Sequence, residues 1–213
     1  MSRVNIGKDL VVVTSRYMDN NSYLVFNKNE VIIIDPSFSG QEIIDNIPHD
    51  TKLVGILLTH AHFDHCYDTK QILDKWNCPV YVHEADKDTY FKYRYDDLTD
   101  MKVKDFAKNI KWFNSKQLKI GSFTIDVLHT PGHSKGSVIY RYKDYVFVGD
   151  TLFYNSYGRT DLGNSNPIEM IRSLDMLWNK LKDSDLILPG HNKWGLFKEI
   201  KQVNLMAKEL IKK

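Results

Sequence analysis

The segment LLTHAHFDH, Leu57 to His65, places three histidines and an aspartate within six residues, directly behind an apolar run. Each buried polar group left without a partner costs about 1–3 kcal/mol, so four of them cannot be dispersed into an ordinary core. A surface loop gains nothing from crowding them. The chain is therefore held to folds that end a strand in a polar cavity where these side chains share one partner. A metal ion is such a partner.

Short β-branched or apolar runs recur at 10–14, 23–26, 31–35, 53–59, 79–83, 123–128, 137–142, 145–150 and 186–189, each bounded by turn residues, and read as strands. Helical spacing fills 41–47, 68–76 and 85 to about 93. The clearest helix is NPIEMIRSLDMLWNKL, with Asn166 as cap, Pro167 in the first turn, and Ile171, Leu174, Trp178 and Leu181 on one face. A last helix begins near Leu196, with Phe197, Ile200, Val203 and Met206 as its buried stripe. Strands 137–142 and 145–150 are joined by the tight Lys143-Asp144 turn. The alternation predicts an α/β (α+β) sandwich of two mixed β-sheets packed face to face with helices outside, in one domain over residues 1–213.

Composition excludes several function classes. With 42% apolar and 26% charged residues the chain is an ordinary globular one, and its formal charge of +2 is spread along the whole length, which predicts no nucleic-acid partner. The aromatic and basic run YFKYRYDD carries its own acids and reads as a half-exposed helix face at a pocket rim. No apolar run approaches the roughly 18 residues of a membrane helix, and Leu10 to Val13 is too short for a secretion signal. Two cysteines, Cys66 and Cys78, fit a reducing compartment, so a cytoplasmic location is expected. Nothing in the sequence sets the oligomeric state.

Three further segments supply matching chemistry: HTPGHSKGS gives His133, FVGDTLF gives Asp150 and LILPGHN gives His191, each behind a strand or a strand and a turn. With His60, His62, Asp64 and His65 the candidate ligands number seven, from four loops. Imidazole and carboxylate suit zinc, with iron and manganese as alternatives, whereas magnesium or calcium would call for an all-oxygen set. Seven exceed what one tetrahedral ion takes; two ions sharing a carboxylate would use them all and leave room for water. A lone buried histidine is more often a hydrogen-bonded core residue than a ligand. No packing rule, however, asks for H-x-H-x-D-H together with two Gly-His turns and a Gly-Asp at strand ends.

The motifs THAHFDH, TPGHSKGS, GDTLF and LPGH, in this order, resemble the metallo-β-lactamase superfamily from about Tyr23 to His191, and NNSYLV and IIIDPS match its opening strands, with Asp35 at the usual acidic position. The resemblance implies an αββα sandwich with metals at one edge of the two sheets. It implies that His60, His62 and His133 hold one metal, that Asp64, His65 and His191 hold the other, and that Asp150 bridges them. It also implies that Asp64 handles the proton of the attacking water.

Gly158, Arg159, Thr160 and Asp161 resemble the G-R-T-D run of short glyoxalase II-like hydrolases and of persulfide dioxygenases. The expectation is a small-molecule substrate, a thioester such as S-lactoylglutathione, cleaved to a thiol and a hydroxy acid. A persulfide dioxygenase with a single iron is the alternative; a lactonase or phosphodiesterase of the same superfamily is a further one. Only 22 residues follow His191, which fits the short branch better than the long one with its separate helical domain. Arg159 suits an anionic substrate group, unless it pairs internally with Asp161. Where relatives often carry Gly-Gly after the first motif, this chain has Cys66, Tyr67 and Asp68, so Tyr67 either shapes the pocket or simply packs, and Cys66 reads as inert packing. His129 is expected to buttress the TPGH turn, His83 to end a strand, and His49 to be exposed.

Overall fold

Strands whose two faces are both covered should be apolar at every position, and this is what the runs VVV and VIII require. The computed structural model describes residues 2–92, 95–96 and 101–212. Its first sheet begins with β1 (Ser2–Ile6), β2 (Leu10–Thr14), β3 (Asn21–Asn27) and β4 (Glu30–Ile34), paired antiparallel in sequence. It then continues in parallel through β5 (Lys52–Leu57) and β6 (Val80–His83). A small ribbon of β7 (Tyr95–Asp96) and β8 (Met101–Lys102) precedes β9 (Ile110–Phe113), which closes the first sheet parallel to β6.

The second sheet runs β10 (Gln117–Ile120), β11 (Phe123–His129), β12 (Val138–Tyr142), β13 (Tyr145–Gly149), β14 (Leu186–Pro189) and β15 (Gly195–Leu196), antiparallel except for the β13–β14 pair. Alternate residues then divide between layers. Leu10, Val12, Tyr23, Val25, Ile32 and Ile34 face Ile120, Phe123, Ile125, Tyr140 and Phe147 between the sheets. Val11, Val13, Leu24 and Ile33 face outward, under α1 (Gly40–Asp45) and α3 (Thr69–Lys75) through Ile43 and Ile72. On the far side, Ile139, Val146, Val148 and Ile187 meet Met170, Leu174 and Leu177 of α5 (Pro167–Lys180), and Phe197 and Ile200. The result is the helix, sheet, sheet, helix layering read from the sequence.

Differences lie where side-chain chemistry overrides periodicity. The N-terminal cap of α5 forms as read, Asn166 Oδ1 accepting the N–H groups of Ile168 and Glu169 at 3.0 and 3.3 Å. Its buried stripe, however, is Met170, Ser173, Leu174 and Leu177, with Ile171, Trp178 and Leu181 only half-buried at its flank. The C-terminal helix is broken. Asn204, fully buried, donates to the carbonyls of Phe153 and Ser156 and accepts the Ala207 N–H, which divides the segment into α6 (Phe197–Val203) and α7 (Leu205–Ile211). Val203 and Met206 are thereby turned to solvent, 45% and 56% exposed, and Ala207 takes the buried place. Strands β1, β9 and β10 went unread because the first is almost wholly exposed and the other two mix apolar with basic or polar residues, and β7, β8 and β15 because two residues carry no period. The helix expected over 85 to about 93 is a tight turn, Glu84–Asp86, followed by α4 (Lys87–Lys92); Tyr93, Arg94 and Asp97 of the YFKYRYDD run lie outside the described residues. Among the described residues no helix is long and apolar enough to cross a membrane.

A partly buried ion pair fastens β12 to the turn that enters β14. Asp185, at the entry to β14, accepts Arg141 Nη1 and Nη2 at 2.8 and 2.6 Å and the Lys182 N–H at 2.8 Å. Burial works to raise the Asp185 carboxyl, but these donors outweigh it and hold it below its ordinary value. Asp185→Asn should lower stability by about 2–3 kcal/mol in denaturant unfolding, less than the ~3–5 of a fully buried pair because Arg141 keeps some water. A depressed folded value means that the stabilisation is complete above the unfolded carboxylate value of about 3.9 and fades as pH falls through the folded one. The curves of wild type and variant should therefore converge in acid; a gap that persists there would assign the loss to packing alone.

Candidate metal centre

Strand ends bring the seven candidate residues to one edge of the sandwich. The turn after β5 delivers His60 and His62, and the one-turn α2 (Phe63–Cys66) carries Asp64 and His65. The loops after β11, β13 and β14 deliver His133, Asp150 and His191. Every one of them is buried, at 8% exposure or less. Their side-chain atoms form three overlapping groups, His60 with His62 and His133, His60 with His65 and Asp150, and Asp64 with His65 and His191, each within 4.8 Å. The middle group links the other two. Asp150 reaches both sides, with Oδ2 3.5 Å from His133 Nε2 and from His191 Nε2, and Oδ1 3.3 Å from His65 Nε2.

Hydrogen bonds on the far side of each ring fix which nitrogen points inward. His65 Nδ1 lies 2.9 Å from Asp35 Oδ2, His133 Nδ1 2.9 Å from the Arg159 carbonyl, and His191 Nδ1 2.8 Å from the Met18 carbonyl. These partners only accept, so each Nδ1 carries its proton and each Nε2 is aimed at the cluster. Asp35 also accepts the Thr59 N–H at 2.8 Å and hydroxyl at 2.6 Å. The Thr59 oxygen is left to accept from His60 Nδ1 at 3.2 Å, which turns His60 Nε2 inward as well. His62 alone is reversed: Nδ1 faces His133 Nε2 at 2.9 Å and Nε2 faces Asn164.

Among the described residues His60 Nε2, His65 Nε2 and Asp150 Oδ1 are buried without a hydrogen-bond partner. Three such atoms converging on one space are what a cation would satisfy, and the donor set of nitrogen and carboxylate oxygen fits divalent metal ions. The backbone packs tightly against the cluster at Gly190, where an added Cβ would collide with the His65 ring and the Asp150 carboxylate.

The two ends of the cluster differ electrically. Burial, reinforced by the neighbouring rings, pushes the His60 ring well below its ordinary value and His62 down to about 4, so both are neutral. Burial pulls the same way on His65 and His191, but Asp150 and the other carboxylates prevail, raising His65 well above its ordinary value and His191 to about 10. Asp150 is held well below the carboxylate range despite burial, chiefly by His191 and His65, and Asp64 is lowered despite burial by the same two rings.

Above the cluster opens a cavity of about 480 Å³ with an apolar wall of Met18, Phe63, Phe153, Tyr157 and Leu162. Arg159 stands at its side with its guanidinium bound by both Asp161 oxygens, at 2.7 and 2.9 Å, so the internal pair is formed. Tyr67 does not line this cavity; it stacks on Phe38, ring centroids 4.9 Å apart. Buried Cys66 donates to the His62 carbonyl at 3.3 Å, His129 Nε2 binds the Lys135 carbonyl behind the TPGH turn, His83 ends β6, and His49 is exposed. Sequence reasoning missed Asn20, whose amide holds the Asp64 carbonyl at 2.7 Å, and Asp86, which anchors the Ala61 N–H at 2.7 Å. Asp86 lies in HEADKD among other acids, and no spacing singles it out.

The profile of the metallo-beta-lactamase superfamily matches residues 17–191. The probable metallo-hydrolase YqgX of Bacillus subtilis is 34% identical over 177 residues, 80% of this chain and 84% of that one. The hydroxyacylglutathione hydrolase GloC of Haemophilus influenzae is 27% identical over 206 residues, 91% of this chain and 95% of that one. The crystal structure of TTHA1623 in a di-iron-bound form is similar with a TM-score of 0.80 at 28% identity, over 91% of this chain and 98% of that one. Layering, motif order and a sheet-edge cluster fit for metal agree with these likenesses, and the chain belongs to the metallo-beta-lactamase superfamily.

Proposed function

We propose that this protein is a metal-dependent hydrolase that cleaves thioesters of the glyoxalase II type, an S-lactoylglutathione-like substrate giving a thiol and a hydroxy acid. Family membership and the likeness to YqgX support a metallo-hydrolase, and the likeness to GloC supports the thioester branch. The observation that carries the reading is the convergence of unpartnered buried nitrogen and carboxylate atoms beneath a cavity of small-molecule size. His60, His62 and His133 would hold one divalent ion, Asp64, His65 and His191 a second, and Asp150 would serve both; zinc suits this set, with iron and manganese as alternatives.

When bound, two divalent ions would supply a water ionised near neutral pH and a Lewis acid for the carbonyl oxygen. The chain's own residues do the rest. Asp64 lines the cavity with Oδ2 3.2 Å from His191 Nε2, and its depressed value keeps it ionised and so open to a proton, as a weak base whose role is to orient the attacking water and relay its proton. The apolar wall excludes bulk water from the acyl group, and Arg159 would meet an anionic substrate group in competition with Asp161.

The deciding experiment is metal analysis followed by a panel of S-lactoylglutathione, glutathione persulfide with oxygen monitoring, a lactone, a β-lactam and a phosphodiester. Thioester turnover with two ions per chain is expected; oxygen consumption with one iron would overturn the reading. Asp64→Asn should reduce turnover about 10²- to 10⁴-fold, and near-normal turnover at full metal content would remove its proton role. Because the raised values of His65 and His191 leave both rings protonated at neutral pH, loading the metal-free protein should release protons, and affinity should rise with pH toward about 10. Calorimetry in two buffers of different ionisation heat checks this; uptake without proton release would count against the assignment of these two rings.

A further inference from the structure

His62 is the ring turned opposite to the other four, so it needs an anchor of a different kind. Its Nε2 faces the side-chain amide of Asn164, with Nδ2 at 3.2 Å and Oδ1 at 3.4 Å. Asn164 Nδ2 also donates to Thr89 Oγ1 at 3.0 Å, and Thr89 Oγ1 donates to Asp86 Oδ1 at 2.9 Å. All three residues are buried.

The direction of this chain is fixed at its far end. A carboxylate only accepts, so the Thr89 hydroxyl must give its proton to Asp86, and its oxygen then takes a proton from the Asn164 amide nitrogen. That commits the amide orientation and leaves both amide atoms beside His62 Nε2. Without a metal, His62 Nδ1–H can donate to His133 Nε2 while Nε2 accepts from Asn164 Nδ2. A ring that gives its Nδ1 lone pair to an ion must carry its proton on Nε2, and Asn164 Oδ1 is the acceptor in place for it.

Asp86 does more than start the relay. Its carboxylate takes the Ala61 N–H, between His60 and His62, and the Gly136 N–H, in the loop of His133, each at 2.7 Å. At Gly136 an added Cβ would run into the Asp86 side chain, which accounts for glycine in HSKGS. One buried acid thus clamps both loops that carry His60, His62 and His133.

We propose that Asp86, Thr89 and Asn164 are positioning residues that orient His62, supply the acceptor for its metal-binding tautomer and so set the affinity of one ion, the one among His60, His62 and His133. This rests on the two-ion reading above. The test titrates zinc into metal-free wild type, Thr89→Val, Asn164→Ala and Thr89→Ser against a chromophoric chelator, with thermal melts of each. Wild type should bind two ions. Thr89→Val and Asn164→Ala should hold one ion normally and bind the other about 10- to 100-fold more weakly. Thr89→Ser, which keeps the hydroxyl, should restore wild-type binding. Ring ¹⁵N spectra should place the His62 proton on Nε2 in zinc-loaded wild type and show mixed tautomers in the two weakened variants. Wild-type affinity for both ions in Thr89→Val and Asn164→Ala would overturn the relay and leave the two-ion reading standing. Equal weakening of both ions would overturn its selectivity, and a wild type that takes up no ion would overturn relay and reading together.

Discussion

Seven ionisable side chains buried against one another at a sheet edge are tolerable only if their charges and lone pairs are matched. The structure matches them partly, by setting His65 and His191, whose values are raised, against Asp64 and Asp150. His60 Nε2 is still left without a hydrogen bond, and His65 Nε2 and Asp150 Oδ1 meet only as an ion pair at 3.3 Å. The rest of the site follows from this constraint, because every ring must be locked by its outer nitrogen for its inner one to point at the shared space.

The sandwich supplies those locks from several layers. Asp35, just beyond β4, fixes Thr59 and His65; Asp86, in the turn beyond β6, fixes the loops of His60, His62 and His133. Tyr23 in β3 and Tyr140 in β12 reach from the interior to the Pro189 and Leu58 carbonyls, at 2.6 and 2.8 Å, bracing two of the four strand ends from which the loops of the cluster depart. The interior packing and the site are therefore one construction. The same strands that make the core continuous bring their ends to a common edge.

Much of this was legible from the sequence because it depends on local pattern. Continuous apolar runs gave nine strands of the two sheets, and motif spacing gave the seven ligand-type residues. What stayed hidden depends on contacts far apart in the chain. Asp86 becomes a clamp only when residues 61 and 136 are brought to it, and Asn204 breaks a periodic helix only because the carbonyls of Phe153 and Ser156 lie beneath it. Tyr67 looked like a pocket residue by its place beside the first motif, yet α2 is one turn long and its exit directs the ring onto Phe38.

The cavity wall and the clustered side chains are also not independent. Met18 and Asp19 occupy the left-handed backbone region, φ +56° and +49°, an uncommon place for residues other than glycine that costs about 1 kcal/mol or more each. That strain is offset by what the bend delivers. The Met18 carbonyl accepts His191 Nδ1–H, the Asp19 carbonyl accepts the Asn192 N–H at 3.0 Å, and Asn20 follows to hold the Asp64 carbonyl. Meanwhile the Met18 side chain stands 47% exposed at the wall of the cavity. The segment that supplies Met18 to the cavity wall is the same one that aims His191 and Asp64. A main-chain shift at Met18 would therefore act on the orientation of both, because three consecutive residues, Met18, Asp19 and Asn20, carry the cavity wall together with the contacts to His191, Asn192 and Asp64.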